Sequence, residues 1–435
     1  MPIPSTPLST PATSSTVVTP RVALAVATTL FFMWGFLTSL NDVLIPHLKA
    51  VFELNYTRAM LVQFAFYGAY FLMSLPAGRL VAHLGYKKGI ITGLLIAAVG
   101  ALGFWPSAAL RTYEAFLASL FVLATGITVL QVAANPYVAL LGPEQTASSR
   151  LTLAQALNSL GTTLAPLFGG FLILSTTVMS GEQIQALPVA EQVAYRAAEA
   201  QSVQGPYLGL AIALALLAVF VCLFRLPSLA EATEKADSAQ HTLLDALKHP
   251  HVLFGVLAIF FYVGAEVSIG SLMVNYLALP ETGGMSEQRA TQYVSAYWGC
   301  AMVGRFAGSW LLAQYPPRRL LAGFALANVV LLGVILAASG EVAVYGIVAT
   351  GLFNSIMFPT IFSLAIERLG PLTNKASSLL IMAIVGGAVI PLLQGMLADR
   401  IGLHLSFVLP VACYLYIIFY GLVGSRPQAA SGQGG

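Results

Sequence analysis

The second half of this chain weakly repeats the first, and the repeat limits the possible folds more than any other feature. "FFMWG" at Phe31–Gly35 returns as "FFYVG" at Phe260–Gly264, and "LGPEQTASS" at Leu141 returns as "LGPLTNKASS" at Leu369. Two further matches keep the order and nearly the offset: "PAGRLVAHLGYKK" around Gly78 with "FAGSWLLAQYPPRR" around Gly308, and "GTTLAPLFGGFL" at Gly161 with "GGAVIPLLQGML" at Gly386. We therefore expect two similar units of about equal length.

Charge depletion indicates the environment of these units. Charged residues make up 9% of the 435 residues and hydrophobic residues 58%, whereas soluble domains carry about 25% charged residues. A bilayer crossing takes about 20 apolar residues, so about a dozen helices fit. Helices are predicted at 22–45, 59–82, 88–109, 113–141, 150–176, 206–225, 250–278, 289–313, 319–339, 341–369, 373–397 and 402–424. The fold class is an all-α polytopic membrane protein with two six-helix bundles.

The polar segments predict the boundaries of the units. The expected order is a disordered tail over 1–20, a first bundle over 21–225, a cytoplasmic linker over 226–249, a second bundle over 250–424 and a tail over 425–435. The first twenty residues lack the pattern of a cleaved signal peptide, so helix 1 is expected to act as the insertion signal. In the linker, Leu243, Leu244 and Leu247 predict a short amphipathic helix on the membrane surface. Glu182–Gln204 predicts a small extramembrane helix.

The basic residues predict the orientation of the chain. With both termini inside, fourteen of the twenty Lys and Arg residues flank the inner ends of the helices and six flank the outer ends. Because Lys and Arg concentrate on the cytoplasmic side, both termini are expected in the cytoplasm. We expect the bacterial inner membrane as its location.

Two acidic residues lie inside predicted membrane helices. Asp42 is in "TSLNDVLIP" of helix 1, and Glu266 is in "YVGAEVSIG" of helix 7, its equivalent in the repeat. An acid at mid-bilayer costs about 2.5–3.5 kcal/mol, so it usually faces a cavity or a partner. We interpret both as a site for a coupling proton or sodium ion. The structural alternative is a local hydrogen bond, or snorkelling from a helix end.

Polar amides form a second set of candidates. Gln131 and Asn135 are four residues apart on helix 4, and Gln155 and Asn158 are three apart on helix 5, so each pair shares a helical face. Amides supply donors and acceptors for sugar hydroxyls, although buried amides also join neighbouring membrane helices. Asn275 on helix 7 and Asn354 on helix 10 are further candidates for contacts with the substrate.

Aromatic and basic side chains complete the candidates. Trp34 is eight residues before Asp42 on a roughly similar face, which favours a stacking role against a sugar ring. Trp298 and its neighbour Tyr297 are weaker aromatic candidates. Arg150 and Arg305 lie near inner helix ends, where each could pair with an acid or a helix C-terminus and close an inner gate. Snorkelling to lipid phosphate is the alternative for both.

Four motifs carry a resemblance to a known family. "SLNDVLIPHL", "AANPYVALLGPE", "RLTLAQALNSLG" and "FPTIFSLAI" resemble the fucose–galactose–glucose branch of the Major Facilitator Superfamily, from about Phe31 to about Val423. The resemblance implies twelve helices in two bundles and cation-coupled uptake of a monosaccharide through alternating access. "LQVAANPY" and "YVGAEVSIGS" resemble the bacterial glucose/galactose transporters, some of which are sodium-coupled.

Within that resemblance, Asp42 matches a carboxylate that fucose–proton symport uses, and Gln155 and Asn158 match polar cavity residues. Gln131 departs from the fucose pattern, which has a glutamate there and a glutamine where this chain has Glu266. Compared with the fucose pattern, the acidic residue is in the second half of this chain instead of the first, and this difference argues against fucose as the substrate. The hexose, and proton against sodium coupling, stay open at this level.

Other classes are weighed against this interpretation. None of the six histidines forms HExxH and no lysine follows a glycine, so a zincin motif and a Walker A loop are excluded and we expect no enzyme. Three cysteines in apolar runs show no metal spacing. We expect no cofactor and no nucleic acid, only a monosaccharide, a coupling cation and membrane lipid, with a monomer as the functional unit. An uncoupled facilitator and a non-transporting sugar sensor remain alternatives.

Overall fold

Residues 20–52, 56–110, 112–173, 184, 186–224 and 242–427 are described in the computed structural model, and they contain helices and turns but no strand. Helices of the first half are α1 Pro20–Phe52, α2 Tyr56–Leu84, α3 Tyr86–Leu110, α4 Tyr113–Leu140, α5 Ala147–Ile173 and α6 Val189–Leu223. Helices of the second half are α7 Pro250–Ala278, α8 Glu287–Gln314, α9 Pro317–Ala337, α10 Glu341–Asn354 and Met357–Ala365, α11 Thr373–Met382 and Gly386–Ile401, and α12 Leu403–Ser406, Val408–Phe419 and Tyr420–Gly424. The predicted all-α fold with twelve membrane helices is confirmed.

Nine of these helices contain, among the described residues, a stretch long and apolar enough to cross a bilayer. The other three, α2, α5 and α8, have 29, 27 and 28 residues and are long enough, but they are more polar. Across the molecule, α2 packs against α11, and α5 packs against α8 and the second part of α10. Each of these three helices therefore takes part in the contact between the two halves.

In each half, two helices cross closely: α1 with α5 in the first half, and the equivalent pair, α7 with α11, in the second. A Cβ atom added at Gly161 on α5 would lie 2.3 Å from the carbonyl oxygen of Phe32 on α1. A Cβ atom added at Gly386 on α11 would lie 2.0 Å from the carbonyl oxygen of Phe260 on α7. Gly161 and Gly386 correspond in the sequence repeat, and Phe32 lies one position after Phe31, the residue that aligns with Phe260. The repeat therefore has a physical basis, since only glycine lets the two backbones approach so closely.

Two segments differ from the sequence prediction. The predicted extramembrane helix over Glu182–Gln204 is not separate, because α6 runs unbroken through Pro206 for 35 residues. At about 1.5 Å per residue it is longer than the bilayer core, so its first turns extend beyond it. The predicted linker helix exists at Leu243–Leu247, where Thr242 and Asp245 form a capping box. It packs against α7 and α11, and residues 226–241 of the predicted linker lie outside the described residues.

Helix α10 is interrupted near the middle of the bundle. Its first part ends at Asn354 and its second part begins at Met357. Pro359 has no N–H to donate to the carbonyl of Ser355, so the regular helical bonds cannot continue through this point. The break leaves the carbonyl group of Asn354 available to a side chain from another helix.

The two halves meet closely at their predicted cytoplasmic ends. Ser148 on α5 hydrogen-bonds Ser363 on α10 through their hydroxyl oxygens, 2.6 Å apart. The hydroxyl of Ser149 donates to the carbonyl of Ser309 on α8 at 2.7 Å. The backbone N–H of Arg368 donates to Glu144 Oε1 at 3.1 Å, and its guanidinium lies 4.0 Å from Oε2. These contacts join the two halves at those ends.

Candidate functional site

A buried ion pair lies where α5, α7 and α8 approach each other. Glu266 on α7 is 9% exposed, and its Oε1 atom lies 3.7 Å from Nη2 of Arg305 on α8. The Nη1 atom of Arg305 donates a hydrogen bond to the hydroxyl of Ser159 on α5. One guanidinium therefore contacts an acid of its own half and a hydroxyl of the other half.

The polar partners of this pair are incompletely satisfied. Glu266 Oε1 and Arg305 Nε are both buried and make no hydrogen bond with the described residues. A buried charge is costly unless it is paired and hydrogen-bonded. The site therefore has unused hydrogen-bonding capacity beside a carboxylate, which is suited to accept a proton or a polar ligand.

Tyrosine and asparagine side chains surround the carboxylate. The hydroxyl of Tyr262, one turn before Glu266, donates to the carbonyl oxygen of Asn354 at 3.1 Å. The side-chain Nδ2 of Asn354 donates to the hydroxyl of Tyr297 at 2.8 Å. The ring of Tyr297 packs at 5.1 Å against Trp298, which is 41% exposed.

Asn354 is the centre of this network. Its Oδ1 atom accepts hydrogen bonds from Asn328 Nδ2 on α9 at 2.8 Å and from the hydroxyl of Tyr414 on α12 at 2.6 Å. Tyr262, Asn328 and Tyr414 were not among the predicted site residues. A lone amide inside an apolar helix was a usable signal for Asn328, but tyrosines are too common in this chain to single out two of them.

The predicted amides of α4 and α5 lie in the first half. Gln131 Nε2 donates to the hydroxyl of Tyr70 at 2.8 Å, and Asn158 Nδ2 donates to the carbonyl of Phe31 at 2.9 Å. Gln155 Nε2 lies 3.5 Å from Asn135 Oδ1, a long hydrogen bond, and Asn135 Nδ2 is buried with no partner among the described residues. Gln155 and Asn158 are half-buried, so they keep capacity for a ligand.

Two predicted residues lie away from this region, and the side chain of a third is not among the described ones. Trp34 is 7% exposed and lies among aliphatic side chains of α3, α4 and α6, which argues against the predicted stacking role. Asn275 is exposed near the outer end of α7, nine residues after Glu266 and therefore on the opposite face of that helix. Asp42 lies within helix α1, but its side chain falls outside the described residues.

The two arginines expected at an inner gate differ in their contacts. Arg150 donates to the carbonyls of Ala139 at 2.5 Å and Pro143 at 2.8 Å, so it caps the C-terminal end of α4 within its own half. Arg305 lies deeper than predicted and pairs with Glu266. The exposed pair of Glu144 and Arg368, which was not among the predicted site residues, joins the halves at the predicted inner end instead.

Comparisons with known proteins agree with this arrangement. Residues 24–384 match the family model described as Major Facilitator Superfamily. The chain is 50% identical to the glucose/galactose transporter of Brucella abortus biovar 1 (strain 9-941), covering 93% of this chain and 94% of that one. It is 36% identical to the L-fucose-proton symporter of Escherichia coli (strain K12), covering 93% of each chain. A crystal structure of the transporter FucP in the outward conformation superposes with a TM-score of 0.87 at 36% identity, covering 92% of this chain and 98% of that one.

Proposed function

The chain belongs to the Major Facilitator Superfamily, and from this premise we propose that it takes up a hexose of the glucose/galactose type together with protons. It does so by alternating access, as a monomer in the bacterial inner membrane with both termini in the cytoplasm. The names of its relatives support both a hexose substrate and cation coupling. The closed inner contacts support an outward-facing state as one end of the cycle.

The Glu266–Arg305 pair, with its contact to Ser159, is the observation that carries the coupling. Symport requires only that the ion and the sugar each favour one conformation, because each then raises the affinity for the other by the same factor. Protonation of Glu266 removes the negative charge that holds Arg305. Arg305 is then held mainly by Ser159 on the opposite half, so proton binding changes the interaction between the halves.

A proton fits this site better than a sodium ion. Transporters usually coordinate sodium with backbone carbonyls freed at helix breaks and helix ends. Here the freed carbonyl of Asn354 already accepts from Tyr262, and the guanidinium of Arg305 repels a second cation. A proton needs only the carboxylate. Asp42, in the equivalent helix of the first half, is proposed as a second group in the proton path.

The sugar is proposed to bind between the amides of α4 and α5 and the exposed ring of Trp298. Gln131, Asn135, Gln155 and Asn158 offer donors and acceptors on one side. Trp298 Cζ2 passes 3.4 Å from the Cβ position of Gly270, one turn from Glu266. An aromatic ring at this place supplies the apolar face that pyranose rings stack against.

The test is uptake of labelled glucose into liposomes under an inward proton gradient, an inward sodium gradient, and neither. We expect accumulation with the proton gradient alone, reduced by competing galactose more than by fucose or N-acetylglucosamine. Glu266→Gln and Asp42→Asn should abolish accumulation, while the control Glu281→Gln, at an exposed carboxylate outside the helices, should not. Equilibration without accumulation would mean a facilitator, sodium-driven accumulation would change the ion, and binding without uptake would mean a sensor.

A further inference from the structure

We propose that the ring of Tyr67 on α2 contacts the transported sugar from the first half, and that the glycine at position 387 on α11 makes room for this ring. The inference rests on the proposed function and deepens it, because it assigns a further sugar contact within the same site. Neither residue belongs to the ion pair or to the amides of α4 and α5.

Tyr67 lies where α2 of the first half meets α11 of the second half. A Cβ atom added at Gly387 would lie 2.8 Å from Cε1 of the Tyr67 ring and 3.0 Å from its hydroxyl oxygen. Eleven residues further along α2, on the same helical face, a Cβ atom added at Gly78 would meet Ser378 of α11. Helix α2 therefore turns one face to the opposite half, and Tyr67 lies roughly 16 Å outward of the contact at Gly78.

The helix crossing beside Gly387 does not explain the absence of a side chain there. In the sequence repeat Gly386 aligns with Gly161, and each of these two glycines lies at the crossing of its own half. The next residue is Gly387 in the second half but Thr162 in the first. A side chain is therefore compatible with the crossing at this position. The three atoms nearest an added Cβ at Gly387 all belong to Tyr67, so the glycine makes room for this ring.

The repeat places Tyr67 at the depth of the exposed tryptophan of α8. Gly78 aligns with Gly308 in the repeat, and the same offset aligns residue 67 with Tyr297, which directly precedes Trp298. The two halves of such transporters are related by an axis along the membrane normal, so aligned residues lie at equal depth. Tyr297 is buried within its own half, whereas Tyr67 is half-buried and faces the opposite half.

The surroundings of Tyr67 have the chemistry of a sugar site. One turn away on α2, the hydroxyl of Tyr70 accepts a hydrogen bond from Gln131, one of the amides proposed to bind the sugar. The ring of Tyr67 adds an apolar surface that the C–H groups of a pyranose can contact. With Trp298 at the same depth on the second half, a hexose between the halves has an aromatic ring on each side while the amides bind its hydroxyls.

The experiment combines Tyr67→Leu with Gly387→Ala. The readouts are equilibrium binding of labelled glucose to the purified protein and accumulation in liposomes under a proton gradient. Tyr67→Leu should raise the Kd for glucose roughly fivefold, because an aromatic contact is lost. Gly387→Ala should raise the Kd by a similar factor, because the added methyl group displaces the ring. The double variant should bind glucose no more weakly than Tyr67→Leu, since both changes act on one contact.

Two matched variants serve as controls. Gly395→Ala lies on the same helix as Gly387, and its added Cβ meets nothing within 4 Å. Tyr345→Leu replaces an exposed tyrosine on α10. Both should keep the wild-type Kd. If Tyr67→Leu does not fold, pentafluorophenylalanine at position 67 is compared with Tyr67→Phe. Fluorination keeps the ring but removes its negative face, so glucose should bind more weakly than to Tyr67→Phe.

An unchanged Kd in Tyr67→Leu, or a double variant in which the two effects multiply, would overturn the inference and leave Tyr67 a packing contact between the halves. A wild-type protein that neither binds nor accumulates glucose would overturn the proposed function and this inference with it. Binding and accumulation by the wild type, together with an unchanged Kd in the Tyr67 variants, would overturn this inference alone.

Discussion

The crossing of α1 with α5 and the crossing of α7 with α11 are built alike but surrounded by different chemistry. In both, a glycine on the second helix, Gly161 or Gly386, brings its backbone against a carbonyl of the first. Around the first crossing, the described polar side chains named above are neutral amides, and the buried Nδ2 of Asn135 makes no hydrogen bond with the described residues. Beside the second crossing lie a buried acid, a guanidinium and a network of tyrosines centred on Asn354.

This difference indicates that the two halves of a duplicated fold can have different functional roles. The crossing geometry is shared because close backbone packing depends on glycine and not on the neighbouring polar residues. Neutral amides suit the hydroxyls of a sugar, whereas an ionisable pair responds to a cation. We therefore propose that the first half makes most of the sugar contacts. Among the described residues, the groups that respond to the cation are in the second half.

The largest expected effect concerns the charged pair. Arg305→Met should lower the free energy of unfolding by about 3–5 kcal/mol, because it leaves Glu266 as an unpaired buried charge. Thermal unfolding in detergent measures this, with Arg400→Met at the exposed outer end of α11 as the control. The double variant with Glu266→Gln should recover most of the stability but not proton-driven accumulation. A double variant as unstable as Arg305→Met would contradict the pairing.

The two tryptophans should separate stability from sugar binding. Trp34→Ala removes a core side chain and should cost about 3–5 kcal/mol in unfolding free energy, with little change in sugar affinity of the folded fraction. Trp298→Ala should leave stability nearly unchanged and raise the half-saturating glucose concentration roughly fivefold, since an aromatic contact contributes about 0.5–1.5 kcal/mol. Unfolding curves and exchange kinetics check both variants. If Trp34→Ala instead weakened glucose binding and Trp298→Ala instead destabilised the protein, the stacking role would belong to Trp34 in the first half.

The glycine crossings should respond equally. Gly161→Ala and Gly386→Ala should each destabilise the protein by about 1–3 kcal/mol, since the added methyl group meets a backbone carbonyl that cannot move freely. Gly209→Ala on α6, where the added Cβ meets nothing within 4 Å, should be neutral or slightly stabilising. Melting temperatures of the three variants measure this, and a clear difference between the first two would break the symmetry of the comparison.

The smallest effect is expected at the amides. Gln155→Leu should raise the half-saturating glucose concentration roughly two- to tenfold, since one hydrogen bond contributes about 0.5–1.5 kcal/mol. The midpoint of the pH profile should stay in place, because the amide carries no charge. Exchange kinetics across pH measure both quantities, with Gln145→Ala at the exposed turn before α5 as the control. A shifted midpoint would mean that the first half also takes part in the proton step.

The sequence by itself determined the membrane environment, the twelve helices and the duplication, because all three follow from local hydrophobicity and from order along the chain. It also singled out Glu266, since an acid inside an apolar helix is costly wherever that helix packs. Helical periodicity placed the amides in pairs on common faces, and α4 and α5 do carry them together. The unbroken length of α6 was missed because polar residues before Pro206 resemble a separate segment.

Only the tertiary structure decided the partners of these residues. It paired Arg305 with Glu266, turned Arg150 to the end of α4 and buried Trp34 in the core. It also gathered Asn328, Asn354 and Tyr414 from three helices into one network. A helix sequence gives the residues that share a face, but the neighbour that covers this face depends on how all twelve helices pack. Contacts between helices far apart in the chain leave no local periodic signal, so they were decided only by the fold.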